Sequence, residues 1–250
     1  MDTHDGTIAA PPPVERNELS RIVGVFFEPA SAFADITNRG HWIVPFVLAI
    51  AAGVILIVAF GQHVGWERTV RRQIESNPRM ADMPAAQRER AVQAGAKVAP
   101  AVAIGGVVVG TPIIYAIFAG ILLLILRSLL NVGLGFRQVW AVLCYAALPR
   151  VLAGILGIGV MFLKSPEDFD IRNPLAFNPA AFMDPDTSSK FVYTLASALD
   201  FFTLWYLLLI AIGLKAAAGR RLSFGGAILT VGVPWLAFIF IRAGIAAAFG

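Results

Sequence analysis

Three charged residues stand inside apolar stretches, where ionised side chains are rare: Arg150, Asp200 and Arg242. Asp200 interrupts FVYTLASALDFFTLWYLLLIAIGL, residues 191–214, a run long enough as an α-helix to cross a ~30 Å hydrocarbon layer. A carboxylate at that depth costs about 2.5 to 3.5 kcal/mol, so it needs a partner, a proton or a wet cavity. Arginine is the cation best matched to it, through its bidentate fork. On alternating helices Asp200, Arg242 and Arg150 fall about 13, 10 and 20 Å from one membrane face, within reach of a long guanidinium. Tyr193, Ser197 and Asp200 share one helical face with Thr203 close by, giving a polar stripe that turns inward. The chemistry open to this intramembrane polar cluster is an ionic clasp that fixes helix register, or a cavity that binds a headgroup, an ion or a proton. Two cations against one carboxylate favour an anion over a cation as any ligand.

Other chemistry has little to work with. His4 lies near the start, His41 and His63 fall at opposite ends of one apolar run, and no pair has metal-ligand spacing on a helix. No serine-nucleophile motif, phosphate-binding loop or dinucleotide fingerprint occurs. Asp168, Asp170, Asp184 and Asp186 read as a solvated acidic loop rather than a cation site. Cys144 is the single cysteine, which excludes an intrachain disulfide and a thiolate cluster. The expectation is a protein that is not an enzyme and needs no cofactor or metal.

The elements that must position the cluster follow from composition. The 250 residues are 58% hydrophobic and 14% charged, and the mean hydropathy is +0.73. That is too apolar for an ordinary soluble domain, so the fold class is an all-α, polytopic integral membrane protein. The net charge of +4 suits anionic lipid headgroups, and no soluble basic domain exists to bind nucleic acid.

Along the chain, residues 1–15 read as a disordered tail around Pro11, Pro12 and Pro13, with no signal-peptide h-region. Residues 16–40 read as interfacial amphipathic helices on the membrane surface: Leu19, Ile22, Val23 and Phe26 form one apolar face, and Pro29 opens a second short helix with Phe33 and Ile36. Residues 41–250 then hold five crossings at about 41–60, 100–126, 138–163, 191–214 and 225–248. Pro100 is placed to open the second crossing, and Gly106 and Gly110 are spaced for close approach of a neighbouring helix. Residues 62–97 read as a charged helical hairpin. Both short loops on the N-terminal side are basic and free of acids, which predicts a cytoplasmic N-terminus and a C-terminus on the opposite side.

Three stretches together resemble the Yip domain family, the Ypt/Rab-interacting proteins, and especially its bacterial branch. They are Phe27-Glu28-Pro29 with Phe33 and Ile36; Gly135-Phe136-Arg137-Gln138 followed by Tyr145 and Pro149; and Asp200, Phe202 and Trp205 with Gly213. The resemblance covers most of the chain and implies a five-helix bundle with a cytosolic N-terminus, in the inner membrane if the source is bacterial. Eukaryotic relatives are tied to vesicle traffic and bind prenylated Rab-type GTPases; the expectation here is a chain without their long N-terminal extension, and its Phe-Glu-Pro departs from their Asp-Leu-Tyr-Gly-Pro. The resulting expectation is a non-enzymatic membrane scaffold or adaptor. Its partners would be membrane lipids and other membrane proteins, or a second copy of itself. The alternative is a small transporter or channel with a polar pathway through Arg150, Asp200 and Arg242.

Overall fold

The computed structural model describes residues 16–75, 77, 80, 83–166, 169, 173–184 and 187–249; the tail at 1–15 and Asp168, Asp170 and Asp186 of the acidic loop lie outside them. Among the described residues all regular structure is helical. Helix α1 (Glu18–Phe27) starts where the Asn17 side chain accepts the Ser20 amide at 2.8 Å, and it stops ahead of Pro29. Helix α2 (Pro29–Arg39) begins on that proline and ends at Gly40, whose φ of 63° gives the left-handed turn that glycine adopts most readily.

Five helices are long and apolar enough to span a membrane: Ile43–His63, Ala85–Leu129, Phe136–Leu163, Phe201–Arg221 and Phe224–Ala248. The first is α3 (Ile43–His63) and the last is α11 (Phe224–Phe249). Several of the others differ from what their hydropathy predicts. The second is a continuous rod of α5 (Ala85–Gly105), a π turn, and α6 (Thr111–Leu124), so Pro100 lies inside a helix rather than at its start. At 45 residues the rod is about 65 Å long, twice the thickness of a hydrocarbon layer, and its first half is the more polar. There it pairs with α4 (Trp66–Glu75) through Arg71, which bonds Glu67 and Glu89, and through Val70 packed on Gly95. The π turn, Gly106–Gly110, sits directly ahead of Pro112, whose missing amide would leave the Val108 carbonyl without its usual donor. Gly106 and Gly110 face open space; the close approaches occur instead at Gly53, over Val107, and at Gly213, over Val142 and Phe33.

The third span divides at Ala147 into α7 (Phe136–Ala146) and α8 (Leu148–Leu163), with Pro149 in the first turn of α8. The fourth hydrophobic stretch, expected as one helix over 191–214, is also two: α9 (Lys190–Ala198) and α10 (Phe201–Ala218), broken at Leu199 and Asp200. Asp200 therefore sits at a helix start, where its carboxylate accepts a backbone amide, and not in mid-helix.

Helix α10 packs against α2, α7, α8 and α11, and α3 runs along α8. The main core gathers at the α1–α2 end around Phe33, Ile36, Leu122, Leu143, Tyr145 and Ile210. A smaller cluster of Phe60, Val64, Met161 and Phe169 closes the other end.

Candidate functional site

Two features stand out: a clamped helix pair at one end of the bundle and a cavity lying between its two packed regions. The clamp is built on Arg21, 5% exposed. Its guanidinium donates to Asp35 of α2 at 2.7 Å and to Glu18 of α1 at 2.6 Å. Glu18 in turn accepts the Tyr145 hydroxyl of α7 at 2.5 Å, which ties the pair to the third span. Gly24 lets the two short helices touch, because a Cβ there would stand 3.1 Å from that of Ala32. Ala32, Phe33 and Ile36 are fully buried against the bundle, and Phe26 meets Trp205 of α10 edge to face at 5.6 Å. Leu19, Val23 and Phe27 remain exposed, the last at 80%. The apolar face expected to lie on the membrane is thus divided: Ile22 and Phe26 turn onto the protein, Leu19 and Val23 away from it.

Burial opposes the charge on Asp35, but hydrogen bonds and attraction from Arg21 and Arg39 outweigh it and hold the carboxyl below its ordinary value of 3.8. A carboxylate lowered in the native state stabilises above its unfolded pKa and loses that contribution as pH falls through the lowered native value. Melting of the detergent-solubilised protein is therefore expected to be flat in Asp35 terms above pH 3.8 and to worsen below it. Asp35→Asn removes that part of the acid dependence; an unchanged acid limb would refute the assignment.

The cavity measures about 750 Å³ and is walled by α3, α6, α8, α9, α10, α11 and the segment 173–178. Arg150, Ser197, Asp200 and Arg242 all line it, while Tyr193 of the expected cluster does not. The cluster comes together without direct pairing: among the described residues no carboxylate lies within 4.0 Å of either guanidinium. Arg150 rests over the Tyr206 ring, 5.4 Å from its centre. Ser197 donates to the Thr194 carbonyl, and Asp200 accepts the Thr203 amide at 3.0 Å, capping α10. The neighbouring Phe201 amide, another donor freed by the helix break, bonds the Phe177 carbonyl at 3.1 Å, and Phe177 stacks on Phe202. Asn178, 8% exposed, donates to Asn173 at 2.7 Å and closes the same segment over the cavity. Losing the cap in Asp200→Ala is expected to cost about 1 kcal/mol in unfolding, and Asp200→Ser to recover most of it. Equal losses in both would show that the charge, not the cap, matters.

The Yip1 domain profile matches residues 23–245, nearly the whole chain. The chain belongs to the Yip1 domain family. No curated protein and no solved structure matches it. In this Yip1 domain several of the residues that carried the resemblance fall on the two features just described. Pro29 and Phe33 shape and seat α2, Tyr145 holds Glu18, and Trp205 receives Phe26. Asp200, Phe202 and Pro149 instead fix the helix breaks around the cavity. The clamp triad of Glu18, Arg21 and Asp35 was not among the expected site residues. Its one visible signal is an Arg between two acids on helices too short to span.

Proposed function

We propose that this Yip1-domain protein is a non-enzymatic scaffold or adaptor of the membrane, acting in membrane organisation or in trafficking-like processes. The observation that supports it is the clamp: a buried ion-pair network holds α1 and α2 rigidly on the bundle while Leu19, Val23 and Phe27 stay free on the outer face. Fixing a short amphipathic helix in this way lowers the entropy that a partner or lipid surface must overcome to bind it. We assign the chain to the bacterial branch and the inner membrane, because its Phe27-Glu28-Pro29 departs from the eukaryotic pattern.

The test is proximity labelling from the N-terminus in living cells. A defined set of neighbouring membrane proteins should be labelled, and the set should disappear when Leu19→Glu and Phe27→Glu alter the outer face without changing abundance. A label pattern equal to that of an unrelated five-span protein at the same level would refute the scaffold. A second reading, a transporter or channel, draws on the cavity that Arg150, Asp200 and Arg242 share. Anion flux through proteoliposomes that Arg150→Gln abolishes would favour it.

The N-terminal end is proposed to face the cytoplasm. Arg127, Arg137, Lys215, Arg220 and Arg221 cluster at that end of the spans, where Arg137 also bonds the Gly40 carbonyl at 3.1 Å. In a Cys144→Ala background, Ser223→Cys should react with a membrane-impermeant maleimide only after cells are opened, and Thr187→Cys in intact spheroplasts. The reverse pattern would invert the topology.

A further inference from the structure

The cavity has a division of chemistry that a clasp does not need. Part of its lining is cationic and polar: Arg150, which lies over the Tyr206 ring, with Arg242 and the Tyr115 phenol. Neither phenol hydroxyl has a hydrogen-bond partner among the described residues, although Tyr206 is only 6% exposed. The rest of the lining used here is aliphatic, with Ile114, Ile117 and Ile121 on the same helix α6 that carries Tyr115, and Leu56 of α3. Those three isoleucines are 64%, 59% and 40% exposed, so the apolar lining continues outward onto the lipid-facing side of α6.

We propose that the cavity is a binding site for a single anionic phospholipid, its phosphate held by Arg150 and Arg242 and its acyl chains laid along the α6 isoleucines. Charge disfavours a cation, because two guanidiniums outnumber the one carboxylate, and one Asp200 oxygen is already committed to the Thr203 amide. Arg150 and Arg242 are exposed and have no carboxylate partner among the described residues, which leaves their donors open to an anion, and a phosphodiester matches the planar donor fork. The Tyr115 and Tyr206 hydroxyls supply further donors of the kind a phosphate or glycerol oxygen accepts. A free phosphate ion would use the polar groups alone and leave the aliphatic side chains uncovered, whereas a tethered lipid engages both. The volume of about 750 Å³ is ligand-sized, too large for a bare ion. The proposal goes beyond the scaffold reading and stands or falls separately, since it concerns the cavity and not the α1–α2 face.

The experiment is native mass spectrometry of the full chain in mild detergent, titrated with phosphatidylglycerol, phosphatidylcholine or inorganic phosphate. Phosphatidylglycerol should bind one per chain and on the order of tenfold tighter than phosphatidylcholine, the change expected for one or two charge-assisted hydrogen bonds. Arg242→Gln and Arg150→Gln should each reduce that preference, and Arg242→Lys should retain part of it. Should Arg150→Gln fail to fold, Arg242→Gln carries the test alone, since Arg242 makes no hydrogen bond, ion pair or ring contact with a described residue that its loss would orphan. Millimolar inorganic phosphate should not displace the lipid. Equal affinity for the two lipids, an unchanged preference in Arg242→Gln, or displacement by free phosphate would each overturn the lipid site, the last in favour of a simple anion site.

Discussion

Replacing Arg21 with methionine is expected to be among the most damaging single changes in the protein, costing about 3 kcal/mol of unfolding stability in mild detergent. The reason lies in what the substitution leaves behind. Glu18 and Asp35 lose the cation between them, and Asp35 is only 13% exposed, so its charge stays desolvated with Arg39 as its remaining partner. Glu18 is 28% exposed and keeps the Tyr145 hydroxyl, which keeps the loss at the lower end for broken buried pairs. A triple change of Arg21→Met with Glu18→Gln and Asp35→Asn removes the charges together and should recover most of the loss, because a buried ion pair often contributes little net stability over neutral replacements. Tyr145→Phe, which removes one hydrogen bond, should cost about 1 kcal/mol. If Arg21→Met and the triple variant melt alike, the network is not what holds α1 and α2 in place, and the buried Phe33 and Ile36 must suffice.

The spans themselves were legible because hydropathy is a local property: a run of apolar residues in lipid has no alternative to satisfying its backbone within a helix. The helix breaks were not. Leu199 and Phe201 are as apolar as their neighbours, so the end of α9 and the start of α10 leave no trace in the pattern. What marks the break is Asp200 three residues before Thr203, a capping arrangement that reads equally well as a lone buried charge. Seen as a charge, Asp200 called for arginine partners; in the structure it caps a helix, and the arginines share its cavity without pairing to it. The clamp was hidden for a different reason. Its decisive bond joins residues 127 positions apart, and nothing on either local helix tells Glu18 from a solvated surface acid. The continuity of the helix from Ala85 into the second span is not legible, because Pro100 sits where a proline also suits a helix start.

Gly213 shows why a position that sequence marks only by resemblance can carry a large energetic effect. A Cβ built there would stand 2.6 Å from Cγ1 of Val142 and 3.0 Å from Cδ1 of Phe33, so α7, α2 and α10 meet at one point that admits no side chain. Val142 is fully buried and β-branched, which leaves it no alternative rotamer within a helix, and Phe33 is enclosed as well. Gly213→Val is therefore expected to destabilise by about 1 to 3 kcal/mol through overpacking, with the strain forced onto the seating of α2. Gly244→Val is the matched control: a Cβ there meets nothing within 4 Å, and its melting should be unchanged or slightly improved by the gain in helix propensity. The mechanism predicts coupling as well as cost. Combining Gly213→Val with Val142→Ala should restore part of the stability that the first change removes, because the two side chains compete for one volume. Strictly additive losses in that pair would mean that Gly213 is required for its backbone rather than for the space beside it.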